Sequence, residues 1–272
     1  MQRPTVSAAL AQSGLVPLDA RVLMMHVLGV GRAWLVAHDR DVLDAEQARA
    51  FFALAKRRRD GEPVAYLVGR REFWKLDLVV SPAVLVPRPE TETLVEAALE
   101  RLPRDTNATV LDLGTGSGAI ALAIASERPR CAIVATDVSP EALAVARDNA
   151  VRLALRNVTF VASDWYGQVD GSFDLIASNP PYVAPDDPHL AELAFEPRAA
   201  LTTGSDPLAA IKAIVFGATE RLEPGGWLLV EHGHDQAATV RALFESAGFT
   251  SVASRRDLAG IDRIVIGRRA LA

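Results

Sequence analysis

The stretch Ser178 to Ala184, SNPPYVA, follows the apolar run Phe173–Ala177 and combines residue types that can hold a small planar group. Two consecutive prolines, Pro180 and Pro181, exclude both helix and ladder pairing and make a stiff, irregular loop. Asn179 offers a side-chain carbonyl, and the carbonyl of Pro180 precedes a residue without an N–H. Two acceptors on such a backbone can take both hydrogens of a planar –NH2 group, with the Tyr182 ring as a flat wall beside it. A planar amide or aromatic amine is a weak nucleophile because its lone pair is delocalised. Holding it at attack distance, and aiming carbonyl dipoles at a nitrogen that becomes positive, are what this loop can contribute. Asn179 is then a positioner and not a base, since the proton becomes acidic only once the new bond has formed. The bland alternative is a rigid turn.

Three further loops carry unusual residues. Asp112-Leu113-Gly114-Thr115-Gly116-Ser117-Gly118 follows the candidate strand Thr109–Leu113. Its glycines let backbone approach a ligand closely, but the third comes after one residue instead of two, unlike a dinucleotide fingerprint. Asp112 would repel a pyrophosphate and suits a cationic or amine-bearing ligand. Asp137 ends the next candidate strand, at a distance from Gly114 suited to holding ribose hydroxyls. Ser163-Asp164-Trp165 ends the one after, with a carboxylate and a flat ring for the amine and face of an adenine. Each has a plain structural alternative: a tight turn, an N-cap (which Ser139 fills better than Asp137), and a capped loop around a half-buried tryptophan. Together they describe a pocket for an adenosine that carries a positive tail and no phosphate. S-adenosylmethionine fits that description and NAD does not.

The elements that position these loops alternate. Candidate strands are Thr109–Leu113, Ala132–Asp137, Val158–Ser163, Phe173–Ser178, Trp227–His232, Ser251–Arg255 and Ile261–Ile266. Candidate helices are Ala119–Glu127, Pro140–Leu153, Pro207–Leu222 and Ala237–Ala247. The expected fold is α/β: a doubly wound, mostly parallel seven-stranded sheet whose last strand runs antiparallel. Ligands bind such a sheet beyond the carboxyl ends of its strands, where all four loops lie. Before it, Arg71 to Arg88 reads as a β-hairpin linker, with runs Phe73–Val80 and Val84–Val86 around a turn at Ser81-Pro82. Pro89 suits the first turn of a helix.

Residues 1–70 read as a small helical bundle. Asp19–Leu28 stops at Gly29, and Asp44 with Gln47 has capping-box spacing. Lys56-Arg57-Arg58-Arg59 fills the last turn of the helix that Asp44 begins, where cations favour the dipole; the reading preferred is that of a helix end and not a nucleic-acid patch. The expected domains are therefore 1–70, 71–88 and 89–272.

Charge divides unevenly. Residues 1–75 carry 12 Lys and Arg against 8 Asp and Glu, and the remainder 17 against 26, so the net −5 splits into +4 and −9. So acidic a larger part disfavours tracking a phosphate backbone. A single cysteine, Cys131, excludes an internal disulfide framework and a cysteine-based metal site. His232-Gly233-His234 with Asp235 lacks a third histidine, and no metal is expected. Gln12, Ser13 and Gly14 interrupt the apolar run near the amino terminus, so no signal peptide or membrane span is expected and the location read is cytoplasmic.

DLGTGSG followed by SNPPY resembles class I S-adenosylmethionine-dependent methyltransferases acting on planar nitrogen. REFWKLDLVVSPAVLVPRPETE at Arg71–Glu92, with FEPRAAL at Phe195–Leu201 and EHG at Glu231–Gly233, narrows the resemblance to the HemK/PrmC type, the peptide chain release factor glutamine methyltransferases. That resemblance implies methylation of the side-chain amide of the glutamine in the Gly-Gly-Gln motif of bacterial class 1 release factors, with S-adenosylhomocysteine as product. The helical domain would help grip that protein. It implies that Gly114, Thr115, Gly116, Ser117 and Gly118 hold the methionine portion and ribose, Asp137 the ribose hydroxyls and Trp165 the adenine surroundings. Asn179, Pro180, Pro181 and Tyr182 would hold the glutamine, with Asn179, Pro180 and Tyr182 catalytic and Asn179 also touching the cofactor. Two other readings remain. An adenine-N6 methyltransferase would use the same tetrad on a flipped base but calls for a basic catalytic domain. A non-catalytic sensor of S-adenosylmethionine would have no use for Asn179.

Overall fold

The computed structural model describes residues 3–271, and the chain divides into two compact units, Met1–Arg70 and Arg71–Ala272. In the first, α1 (Val6–Gln12), α2 (Pro17–Leu28), α3 (Arg32–Ala37), α4 (Ala45–Arg59) and α5 (Val64–Val68) enclose Leu23, Met24, Leu43 and Phe51. The stop at Gly29 and the start at Asp44 both act as the spacing predicts. Gly29 ends α2 in the left-handed region at φ 65°. Asp44 accepts the N–H groups of Glu46 and Gln47 at 2.8 Å, and Gln47 Oε1 accepts that of Asp44 at 3.0 Å. The basic run at the end of α4 is tied internally: Lys56 to Asp60 at 2.7 Å, Arg57 to Glu62 at 2.6 Å, Arg58 to Asp19 at 2.7 Å, and Arg59 to the carbonyl of Ser13.

β1 (Arg70–Phe73) and β2 (Leu76–Val79) form the hairpin, but its turn is Trp74-Lys75, not Ser81-Pro82. Both turn residues sit at positive φ, 51° and 67°, a cost that three contacts offset. The Trp74 N–H donates to Glu92 at 2.9 Å, its indole N–H to Glu127 at 3.1 Å, and Lys75 Nζ reaches the same Glu127 oxygen at 3.3 Å. Val84–Val86 is not a strand. A single 3-10 turn, Pro89–Thr91, then leads into α6 (Glu92–Arg101).

The remainder follows as β3 (Thr109–Leu113), α7 (Ala119–Glu127), β4 (Ala132–Asp137), α8 (Pro140–Arg152), β5 (Val158–Ala162), β6 (Phe173–Ser178), α9 (Ala209–Arg221), β7 (Leu222–Glu231), α10 (Ala237–Ser246), β8 (Thr250–Arg256) and β9 (Asp262–Arg268). Seven strands make one sheet in the order β5-β4-β3-β6-β7-β9-β8. It is parallel except for β9, which pairs antiparallel with both β7 and β8. β7 starts five residues before the expected Trp227: Gly225 and Gly226 exchange backbone bonds with Arg269 and carry the pairing past an irregular position, Gly225 at φ 81°.

Alternate strand residues feed two cores. Val110 packs with Leu94, Leu122 and Ile124 on one face, while Leu111 and Leu113 pack with Ile211, Val215 and Phe244 on the other. Strand order reverses between β3 and β6, and the register sets Leu113 beside both Thr136 and Ser178. The carboxyl ends of β3, β4 and β6 therefore finish level, and their loops open onto the same space. Among the described residues no helix is long and apolar enough to cross a membrane.

Candidate active site

A cavity of about 520 Å³ lies at these strand ends, within the range that small ligands fill. It brings together Gly114, Thr115, Gly116, Ser117, Asp137, Asp164, Trp165, Asn179 and Pro181. Gly118, Pro180 and Tyr182 are not in its wall. Pro180 is buried, and Tyr182 packs its ring against the second core with its hydroxyl donating to Glu231 at 3.1 Å.

The glycine loop has two different needs. Gly116 sits at φ 56°, and a Cβ there would meet nothing within 4 Å, so its face stays open to the cavity. Gly118 sits at φ 85°, and a Cβ would come within 2.9 Å of Leu122 and 3.3 Å of Ala146. The third glycine thus permits close packing of α7 on α8, not ligand contact.

Asp112 corrects an expectation. Its carboxylate is wholly buried and outside the cavity wall, so it meets no cationic ligand. Oδ2 accepts the Thr115 hydroxyl at 2.6 Å and the Ala121 N–H at 3.2 Å, fastening the loop to both the strand before it and the helix after it. Oδ1 has no partner among the described residues. Burial pushes this carboxyl up to about 7, against the pull of those two hydrogen bonds, and nearby Asp137 adds to the rise. A carboxyl raised above its unfolded value contributes stability below the unfolded pKa that is lost as pH rises through about 7. Asp112→Asn is therefore expected to gain on the parent between pH 5 and pH 8, by on the order of 1 kcal/mol or more in urea unfolding. A difference between the two proteins that does not change with pH would contradict the buried-acid reading.

Asp137 uses each oxygen once on backbone. Oδ2 accepts the Gly116 N–H and Oδ1 the Ser139 N–H, both at 2.9 Å. Each oxygen keeps acceptor capacity toward the cavity. The N-cap of α8 is Ser139, whose hydroxyl accepts the Ala142 N–H at 3.1 Å. Trp165 is held at φ 46°: Ser163 Oγ donates to its carbonyl at 2.8 Å and accepts the Gln168 N–H at 3.0 Å. Next to it, Tyr166 fits against Gly217, where a Cβ would lie 2.5 Å from its ring, and donates to the carbonyl of Ile214 at 2.8 Å.

Asn179 is half-buried and donates its Nδ2 to Thr91 Oγ1 at 3.1 Å. Glu231 on the neighbouring strand accepts the Tyr182 hydroxyl at 3.1 Å, and Thr91 is a second nearby hydroxyl donor that acts on its titration. Burial pushes Glu231 up to about 7, opposed by these two donors and by Arg263. Thr91 and Glu231 lie in PRPETE and EHG, stretches that sequence reasoning treated as a helix start and a strand end. Two more tethers went unread. Asn149 on α8 exchanges two bonds with the Val79 backbone, at 2.7 and 3.0 Å, and donates to the Ser117 carbonyl at 3.0 Å, joining hairpin to glycine loop. Glu196 accepts the Val86 N–H at 3.0 Å and pairs with Arg88, closing the far wall of the cavity. Among the described residues no group of three or more His, Cys, Asp or Glu is arranged to hold a metal ion.

Open glycine backbone facing a carboxylate with spare acceptors, a flat ring and no phosphate cradle fits an adenosine with a charged tail. Sheet order and cavity together define a methyltransferase of the doubly wound α/β class. Residues 5–69 match the PrmC N-terminal domain and residues 91–256 the methyltransferase small domain. The chain is 49% identical over 271 residues to a release factor glutamine methyltransferase of Xylella fastidiosa, covering 98% of each. It is 53% identical over 259 residues to one of Bordetella pertussis, covering 94% of this chain and 96% of that one. The chain belongs to the release factor glutamine methyltransferase family. Its fold is also that of a Thermus thermophilus 16S rRNA N2 G1207 methyltransferase solved with AdoMet and guanosine. That match has a TM-score of 0.57 at 20% identity, covering 74% of this chain and 49% of the other.

Proposed function

We propose that the protein methylates the side-chain amide nitrogen of the glutamine in the Gly-Gly-Gln motif of class 1 release factors, using S-adenosylmethionine and no metal. When bound, S-adenosylmethionine supplies an electrophilic methyl group on a sulfonium. The chain's own residues bind and orient. Gly114 to Ser117 offer backbone to the methionine portion, Asp137 accepts from the ribose hydroxyls, and Trp165 flanks the adenine. Asn179, in the cavity wall, and the carbonyl of the buried Pro180 beside it take the two amide hydrogens in the amide plane, which leaves the lone pair, perpendicular to that plane, free to face the methyl group. As the nitrogen becomes positive, the same two dipoles stabilise it. No base is needed before methyl transfer; the surplus proton leaves afterwards to solvent. Pro181 packs along the amide plane. Tyr182 contributes through its hydroxyl's hold on Glu231, which fixes the far end of the loop. The helical unit, 1–70, is assigned to gripping the release factor.

One observation carries this reading. Asn179 faces the same cavity as Gly116 and Asp137, with its nitrogen already bound to Thr91. Mass spectrometry of release-factor peptides tests it, before and after incubation with the protein and S-adenosylmethionine. A single added methyl on the glutamine-bearing peptide is the expected result. An unmodified peptide, or methylation of nucleic acid in its place, would overturn the proposal.

A further inference from the structure

We propose that Asn149 is a positioning residue for the cofactor: one buried amide ties strand β2 to the Ser117 carbonyl and holds the second half of the glycine loop in the shape that receives S-adenosylmethionine. The inference rests on S-adenosylmethionine as the ligand of this loop and adds a residue that lies outside the cavity wall.

The bonding of this amide admits one orientation, because a backbone N–H only donates and a carbonyl only accepts. Asn149 Oδ1 takes the Val79 N–H at 2.7 Å, and Nδ2 gives its two hydrogens to the carbonyls of Val79 and Ser117, each at 3.0 Å. The side chain thus pairs with Val79 as a neighbouring strand would, with one hydrogen left for the loop. The first half of the loop is tied to the sheet three times. The Thr115 N–H donates to the carbonyl of Thr136 at 2.8 Å, its hydroxyl to Asp112 at 2.6 Å, and the Gly116 N–H to Asp137 at 2.9 Å. Beyond Gly116 the anchoring changes: the Gly118 N–H turns back on the carbonyl of Thr115 at 2.9 Å, within the loop itself. Among the bonds described, the one from Asn149 is what joins Ser117 to another element. It fixes the peptide between Ser117 and Gly118 from the oxygen side, while Thr115 fixes it from the nitrogen side. Gly116 and Ser117 line the cavity, so the tilt of this peptide sets the backbone that the cofactor meets.

Asn149 is wholly buried, so its loss costs stability whatever else it does, because buried backbone groups lose their partner. A second amide separates the two roles. Asn157 Nδ2 lies 3.2 Å from the carbonyls of both Arg128 and Cys131, and gathers backbone at the amino-terminal ends of β4 and β5. It does the same kind of work as Asn149 in a different place, since neither Asn157 nor the residues it bonds belong to the cavity wall. Removing Asn157 reads out stability alone. Removing Asn149 reads out stability and the shape of the loop.

Calorimetric Kd for S-adenosylhomocysteine, kcat at saturating S-adenosylmethionine and unfolding midpoints test this on Asn149→Ala, Asn149→Asp and Asn157→Ala. Both Asn149 variants are expected to weaken cofactor binding about ten-fold or more, the order of one buried hydrogen bond. Asn149→Asp is the sharper of the two, because it keeps the shape and the acceptor for Val79 but sets an oxygen against two carbonyls. The rate at saturating cofactor should stay within about three-fold of wild type. Asn157→Ala should lower the unfolding midpoint while Kd stays within about two-fold. Hydrogen exchange on the wild-type protein covers the case of a variant that does not fold. S-adenosylhomocysteine should slow exchange of the Val79 N–H, which lies outside the cavity wall, more than that of the Ile133 N–H, which donates to the carbonyl of Asn157. Wild-type Kd in the Asn149 variants overturns the inference, as does an equal loss of affinity in Asn157→Ala or a Val79 amide that the cofactor leaves untouched. A wild-type protein with no affinity for S-adenosylhomocysteine overturns the cofactor reading instead, so the two failures are distinct.

Discussion

Asn179→Ala is expected to lower kcat by about two orders of magnitude or more while leaving cofactor Kd within a few-fold of wild type. The size follows from what is removed: an oriented carbonyl aimed at a charge that grows in the transition state, a contact worth roughly 3–4 kcal/mol where it has been deleted elsewhere. The selectivity follows from the geometry. Asn179 stands on the β6 side of the switch point, and the contacts assigned to the cofactor stand on the β3 and β4 side. Its only hydrogen-bond partner among the bonds described is Thr91 Oγ1, so truncation leaves a hydroxyl free to rotate and no buried charge. Single-turnover rates against calorimetric Kd separate the two effects, and an unchanged rate would remove Asn179 from the chemistry.

Asp137→Ala should do the reverse. Two hydrogen bonds from ribose hydroxyls to a carboxylate are each worth roughly 1.5–3 kcal/mol, so Kd for S-adenosylmethionine should rise by about 30-fold or more. The rate at saturating cofactor should change far less. Part of the loss comes from the loop, because Asp137 also holds the Gly116 N–H. For the same reason Asp137→Asn is not a mild change. Both oxygens already accept backbone N–H groups, so an amide nitrogen must confront one of them. Calorimetry that found no loss of affinity in Asp137→Ala would remove the ribose role.

The centre of the sheet was legible because β3, β6 and the second half of β7 are buried on both faces and read as mainly apolar runs. Ala119–Glu127 and Phe173–Ser178 form with the bounds that spacing predicts. The hairpin turn was not legible. Trp74-Lys75 carries neither glycine nor asparagine, and its positive φ values are sustained by Glu92 and Glu127, 18 and 53 positions along from Trp74. The loops of the site could be found because a glycine run and a proline pair are local signals. The groups that orient them could not. Thr91 meets Asn179 across 88 positions and Tyr182 meets Glu231 across 49, contacts that exist only once β6 and β7 lie side by side. Asp112 misled for a related reason: adjacency to the glycines suggested a ligand contact, while its place in the fully buried part of β3 turns it toward Thr115 and Ala121.

The most direct test of the clamp is a crystal structure of the protein with S-adenosylhomocysteine and a release-factor peptide bearing the glutamine. The expected density sets Asn179 Oδ1 and the Pro180 carbonyl on the two hydrogens of the glutamine amide, with its nitrogen directed at the sulfur. A glutamine bound elsewhere, or an Asn179 whose oxygen points back to Thr91, would contradict it.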